Sequence, residues 1–306
     1  DLFAGALPEG VELACRKKLA YFTQRLTEIS REGATRWSAN PFDDWSADLH
    51  SAIGHAALAL YGVDNRAADW LELAHDRVIA YLDCLPADGG HPSGIFRWEF
   101  ALTHCCTFLE ALYRVTGTDL RRHPAIERTR RFAVRCLAPG GRDIVQIDQG
   151  LPLSVSNVTR GPLSKLLAKW FQDPVLGWAL FNTCEQSYIE ATDLLWYDDS
   201  VAQRHPGEAA EPGESGEPGE PGESSAGFPD TGWVVMRSGW GDRDNMVAFQ
   251  CTPYWPGYHH LDQGTFEIFV HGHETILDCG LGWRAHPNYF DRYRDSLAHN
   301  VVLING

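Results

Sequence analysis

The sequence has no apolar run approaching bilayer length, so no membrane-spanning helix is expected. It carries eight cysteines but no C-x-x-C pair, which argues against a cysteine zinc ribbon. Five of them (Cys84, Cys105, Cys106, Cys136 and Cys184) sit in helix-like apolar settings and are expected to be small core residues. Basic residues are scarce, with 26 Lys and Arg against 41 Asp and Glu and a formal charge of −15. That balance argues against a nucleic-acid partner. It also requires that any polyanionic ligand meet a locally basic surface. Heptad continuity is absent, which argues against a coiled coil, and no secretory signal is visible at Asp1.

What is present is enough for a core. The 306 residues are 44% hydrophobic and suit one large or two ordinary domains. Eleven tryptophans and ten tyrosines exceed ordinary needs. Most are expected in the core, though aromatic faces also make platforms for sugar rings.

The first two-thirds read as helix. Apolar residues recur at helical spacing over 11–31, from Trp45 to Leu60, from Trp70 to Leu82, from Trp98 to Leu112, and after Pro124 as far as Leu137. Leu163 to Trp170 and Val175 to Leu180 continue the pattern. From His205 to Gly227 the chain turns into Pro-Gly-Glu units, which bury no apolar surface and are expected to be disordered. Six of the acids lie in that run, leaving −9 elsewhere. Strand patterns follow at Trp233–Arg237 and Met246–Cys251. The expected organisation is α+β in two domains: a helical domain over 1–204, a linker or insertion over 205–227, and a β domain over 228–306.

The last stretch, from Tyr254, is the richest in chemistry. Phe266, Ile268 and Val270 alternate with Glu267, Phe269 and His271, the period of a strand. His271-Gly272-His273-Glu274 supplies a turn, Thr275–Leu277 begins another strand, and Asn300–Ile304 reads as a third. This stretch contains a G-x-H-x-H-x-D-like turn around His260, Leu277-Asp278-Cys279-Gly280, and Ala298-His299-Asn300-Val301-Val302. In order and spacing it resembles the β-sheet domain of the heparinase II/III-like polysaccharide lyases. The resemblance implies a bound metal held by His260, Asp278 and His299. Two imidazoles and a carboxylate suit Zn²⁺ with a position left for water or substrate. Tyr258 stands where the family has the first His of its motif, and His259 lies beside it. His271, His273 and His286 are expected to be ordinary loop histidines.

The helical part carries weaker echoes of the same family. Asp88-Gly89-Gly90-His91 through Arg97-Trp98 resembles its D-G-x-Y-x-E-G-x-x-Y-W, and Trp45–His50 its W-N-x-V-C-N. His91, Ser93 and Arg97 depart from the family's Tyr, Glu and Tyr. The resemblance implies an α/α toroid, here incomplete, followed by an antiparallel β-sandwich. It also implies β-elimination on an acidic, uronic-acid polysaccharide such as a glycosaminoglycan or alginate. That reaction must neutralise the C6 carboxylate, remove the C5 proton and protonate the departing O4. Candidate catalytic groups are Tyr258, His259, His50, His91 and Arg97; candidate substrate contacts are Trp45, Trp98 and Arg97, the last through a two-pronged carboxylate contact. A secreted or periplasmic location and a fragment or shortened relative are further expectations. Two other readings stand beside it. One is a non-catalytic carbohydrate-binding relative. The other is a glycoside hydrolase drawing on Asp43, Asp44, Asp48 and Glu99.

Overall fold

The computed structural model describes residues 8–147, 154–183, 191–209, 222–253, 260–280 and 286–304. The chain forms two compact units. The first holds residues 1–85 and 100–123, and the second holds 86–99 and 124–306. The change from helix to strand falls within the second unit. No helix among the described residues is long and apolar enough to cross a membrane.

The first unit is built on α1 (Glu9–Glu32), α2 (Arg36–Ala39), α3 (Asp44–Ala59) and α4 (Ala67–Asp83), with most of α5 (Gly94–Thr116). Helix α1 stops at Gly33, whose φ of 64° is the left-handed conformation that glycine adopts without strain. Asp43 opens α3, its carboxylate accepting the Trp45 amide at 3.0 Å. In α4 the expected apolar stripe is the core: Trp70, Ala74, Val78, Tyr81 and Leu82 are all buried. Helix α1 departs from expectation. Leu13, Leu19, Tyr21 and Phe22 are exposed, and the packed face is Ala20, Thr23, Thr27 and Ser30. Two of these small polar residues are hydrogen-bonded, Thr23 donating to the Leu19 carbonyl at 2.8 Å and Ser30 meeting His50 Nε2 at 2.7 Å. Cys84 also differs from expectation, being exposed at the end of α4, whereas Cys105, Cys106 and Cys136 are buried. Cys184 lies outside the described residues.

The second unit contains α6 (Pro124–Thr129), α7 (Phe132–Arg135), α8 (Val155–Arg160), α9 (Pro162–Phe171), α10 (Pro174–Asn182) and α11 (Ala191–Trp196). One antiparallel sheet follows among the described residues, a meander of β1 (Ala226–Phe228), β2 (Trp233–Arg237), β3 (Met246–Gln250), β4 (Thr265–Val270) and β5 (His273–Ile276). Strands β4 and β5 are joined by His271 and Gly272, at φ 50° and 74°, the backbone of a tight two-residue hairpin. An aromatic cluster fixes the helices to the sheet within this unit. Phe132 lies 5.1 Å from Phe228, 5.9 Å from Trp233 and 6.1 Å from Trp98, centroid to centroid. All four are buried, each worth on the order of 2–3 kcal/mol.

The Asp88-Gly89-Gly90 segment serves the same junction. Asp88 Oδ2 accepts the Thr231 amide at 2.8 Å and its hydroxyl at 2.9 Å, tying this loop to the β1–β2 turn. A Cβ at Gly90 would lie 2.2 Å from the Thr231 hydroxyl, so only glycine allows the approach.

Two expectations are corrected here. The Pro-Gly-Glu run is anchored at its C-terminal end, although residues 210–221 lie outside the described residues. The Glu223 carboxylate pairs with Arg131 at 3.1 Å and Arg135 at 2.8 Å, because two guanidiniums near the core require an anion. Residues 300–304 are not a strand. Their β-branched side chains favour one, but no strand among the described residues pairs with them, and Val302 and Ile304 are exposed.

Candidate metal centre

Strand β4 explains where the chemistry gathers. Its buried side carries Thr265, Glu267 and Phe269, while Phe266 and Ile268 face outward in half-buried positions. A strand that points a carboxylate and a hydroxyl inward does so at a cost, unless both meet partners. Glu267, fully buried, accepts the Gln146 amide at 2.9 Å. Burial pushes its carboxyl up to about 8, against the lowering effect of that amide and with the charges of Asp278 and Glu274 adding to the rise.

His260 lies in the loop before β4, Asp278 two residues beyond β5, and His299 at the end of a 3-10 turn, Ser296–Ala298. The fold brings all three together. His260 Nδ1 is 3.1 Å from His299 Nε2, across 39 positions of sequence. His299 Nδ1 is 3.0 Å from each oxygen of Asp278. All three residues are buried. The Asp278 carboxylate is itself positioned, accepting the Thr265 hydroxyl at 2.6 Å and the Gly280 amide at 2.8 Å. His299 Nε2 also lies 3.1 Å from the Tyr293 carbonyl, which can only accept, so this nitrogen carries a proton. Tyr289 packs edge-on against His260 at 5.4 Å.

The electrostatics follow from these contacts. Burial would lower His299, but its bonds to Asp278 and Cys279 and the charges of Asp278 and Asp262 raise it to about 10. Burial would raise Asp278, but His299, the Thr265 hydroxyl and the Gly280 amide outweigh it and hold the carboxyl below its usual range. An imidazolium beside a carboxylate is the form this pocket favours when protons are its only cations.

The donor atoms also suit a metal. Asp278, Cys279 and His299 each offer one ligand atom, all within 4.8 Å of one another. Cys279 Sγ stands 3.9 Å from His299 Nδ1. His260 meets the opposite edge of the His299 ring and is not one of these three donors. Imidazole, carboxylate and thiolate are the ordinary ligands of zinc.

Sequence reasoning missed four residues here: Asp262, Thr265, Glu267 and Asn300. Asp262 closes the turn motif and could have been read from it. Asn300 follows His299 and donates to the carbonyls of Phe266 at 3.0 Å and Leu277 at 2.9 Å, stitching together the segments that carry the cluster. Thr265 and Glu267 gave no signal beyond an inward-facing polar position on a strand.

The remaining predicted residues have other surroundings. Tyr258 and His259 lie outside the described residues. His50, in the first unit, is fully buried with both ring nitrogens engaged. Nδ1 donates to the Ser46 carbonyl at 2.8 Å, and Nε2 meets the Ser30 hydroxyl at 2.7 Å. A proton donor to substrate needs an open nitrogen, so these contacts make His50 a core residue. His91 is fully buried in the second unit. Trp98 is buried and donates its indole N–H to Thr129 at 2.7 Å, so its ring is core rather than a sugar platform. Trp45 is 41% exposed and packs edge-on against Phe100 at 5.6 Å. Arg97 is partly buried beside Phe96. His271, His273 and His286 are exposed.

Residues 220–306 match the family model described as heparinase II/III-like, C-terminal. Over that part of its length the chain is similar to the heparinase II/III-like family. Comparison with curated proteins by sequence returns no match. Among solved structures, heparinase III is similar with a TM-score of 0.65 at 13% identity, over 87% of this chain and 40% of that one. A heparinase III gene product gives 0.62 at 13%, over 93% of this chain and 40% of that one. A mutant of the heparan sulfate lyase HepC from Pedobacter heparinus gives 0.57 at 12%, over 87% and 36%. The likeness to these structures is one of fold: helices followed by an antiparallel sheet. The chain spans about two-fifths of the length of these structures.

Proposed function

We propose that this chain is part of a polysaccharide lyase that cleaves a uronic-acid-containing polysaccharide, a glycosaminoglycan or an alginate-like chain, by β-elimination. The helices are then turns of an incomplete α/α toroid, and the sheet is one layer of a β-sandwich. The observation that carries the reading is the buried contact among His260, Asp278 and His299, inside the segment that matches the heparinase II/III-like model.

His260, Asp278 and His299 would hold Zn²⁺, which when bound supplies a fixed positive charge that organises this side of the active site. The chain's own residues supply the rest. Asp278 orients the His299 ring through the 3.0 Å contacts, and Thr265 and Gly280 orient Asp278, so the centre is set by the fold before substrate arrives. Tyr258 and His259 immediately precede His260 in sequence and are assigned the proton transfers. One takes the C5 proton. The electron pair of that bond forms the C4–C5 double bond as the C4–O4 bond breaks, and O4 leaves with a proton. Neutral imidazole and phenol can both exchange protons near neutrality when correctly placed. Arg97 is assigned to the uronate carboxylate.

The test is ultraviolet absorbance of unsaturated uronate during incubation of zinc-supplemented protein with heparan sulfate, heparin, hyaluronan, chondroitin or alginate. A rise with one polymer supports β-elimination and identifies the substrate class. No rise with any of them, from folded and zinc-loaded protein, contradicts the reading and favours a carbohydrate-binding relative.

A further inference from the structure

The two edges of the His299 ring have different surroundings. Nε2 lies 3.1 Å from the Tyr293 carbonyl and 3.1 Å from His260 Nδ1. Nδ1 lies 3.0 Å from each oxygen of Asp278 and 3.9 Å from Cys279 Sγ. The carbonyl can only accept, which puts a ring proton on Nε2 and leaves the lone pair of the neutral ring on Nδ1. An ion held by that lone pair sits on the side of Asp278 and Cys279. The ring itself then stands between the ion and the His260 nitrogen.

The distances on the Nδ1 side suit one ion. A tetrahedral zinc site, with nitrogen and oxygen at about 2.1 Å and sulfur at about 2.3 Å, places its nitrogen about 3.4 Å from its oxygen and about 3.6 Å from its sulfur. The observed 3.0 Å and 3.9 Å lie on either side of those values, each within about half an ångström. Among the described residues, Asp278, Cys279 and His299 form the one group of three whose donor atoms all lie within 4.8 Å of one another. Asp278 and His299 are buried and Cys279 is exposed. Two of the donors are therefore set by the fold, with the Thr265 hydroxyl and the Gly280 amide holding Asp278. The third is a thiol at the rim, and three protein ligands leave a fourth position for water.

We propose that the metal ligands of this centre are Asp278, Cys279 and His299 through Nδ1, with the Cys279 thiolate in the place that the family pattern gives to His260. This rests on the zinc reading given above and changes its ligand set. His260 becomes a positioning residue, which holds the His299 ring from its Nε2 edge together with the Tyr293 carbonyl. The thiol gives up its proton as the ion binds, because thiolate is the form that ligates metal. Sulfur beside nitrogen and oxygen selects an ion of the zinc type over magnesium or calcium.

The experiment records the absorption spectrum of the metal-free chain loaded with Co²⁺, then titrates zinc chloride calorimetrically at pH 7.5, for wild type, Cys279→Ser and His260→Gln. The wild type is expected to show a thiolate-to-cobalt charge-transfer band and to bind one zinc. Cys279→Ser is expected to lose the band and to bind zinc about 100-fold more weakly or worse, beyond the usual loss for an orienting group. His260→Gln is expected to keep the band, with a smaller loss of affinity. A cobalt-loaded wild type without the band, or a band that persists in Cys279→Ser, overturns the thiolate ligand and leaves the zinc and lyase readings standing. So does a zinc affinity of Cys279→Ser within about threefold of wild type. A folded wild type that binds neither metal overturns the zinc reading and this inference with it, whereas the lyase reading is decided by uronate release. Should Cys279→Ser not fold, alkylation of the wild type by iodoacetamide decides, read at Cys279 by peptide mass spectrometry. Protection of Cys279 by zinc supports the assignment, and equal modification with and without zinc overturns it.

Discussion

Two buried histidines, one in each unit, show how differently the same side chain is used. His50 is surrounded by neutral partners, the Ser46 carbonyl and the Ser30 hydroxyl. Burial pulls it down to about 4, with its bond to the Ser46 carbonyl pulling the other way, so it is neutral at neutral pH. His299 is comparably hidden but faces the Asp278 carboxylate, and it rises to about 10. Burial lowers both; the charge of the partner decides the sign. The first is a packing element with a polar rim. The second belongs to a cluster of charges that a cation can reorganise. Burial of a polar residue is therefore not itself a mark of function; an unneutralised carboxylate beside it is the better mark.

The comparison can be broken in several ways. The largest effect is expected from His299→Ala, which should abolish uronate release and weaken zinc binding by more than about 100-fold in a competition assay with a chromogenic chelator. Zinc affinity unchanged in that variant would separate His299 from the centre. Next, Asp278→Asn should destabilise the metal-free protein by about 3–5 kcal/mol in urea denaturation, because it leaves a buried imidazolium without its anion. A loss below about 1 kcal/mol would show that the pair is not buried in solution as it is here.

The third effect concerns pH and the first unit. The folded pKa of His50 lies below its unfolded value of 6.5, at about 4. The unfolded chain therefore binds the extra proton first. Stability on this account is intact above 6.5 and is lost as pH falls towards about 4, by roughly 3 kcal/mol in all. His50→Gln should flatten that part of the profile in urea titrations at successive pH values, with zinc binding retained. An unaltered slope would mean that His50 does not carry it. The smallest effect is expected at Gly54 on α3, where an added Cβ would lie 2.3 Å from the Phe108 ring. Gly54→Ala should cost about 1–3 kcal/mol in thermal or chemical unfolding through overpacking, again without effect on zinc.

Much of the scaffold was legible in the sequence. Helix α4 shows its buried stripe directly, and the hairpin at His271-Gly272 is readable from its turn residues. The packed face of α1 was not legible, because periodicity registers large apolar residues, and that face is small and polar. The same limit hid half of the centre. His260, Asp278 and His299 were picked out by a family pattern, not by any property of the residues alone. Glu267 and Thr265 sit where alternation predicts apolar side chains, and what reverses the faces of β4 is the partners they meet from distant segments. Residues 300–304 failed for the opposite reason, since side-chain preference says nothing about whether a neighbouring strand is there to pair.

The most direct test of the account is to follow uronate release while the metal is removed and restored. A polymer that the protein cleaves is incubated with wild type, with protein stripped by a chelator, and with stripped protein resupplied with zinc, each beside His299→Ala. The account predicts that activity is lost on stripping, returns with zinc in the wild type, and does not return in His299→Ala. Full activity in the stripped wild type, or recovery in His299→Ala, would contradict it.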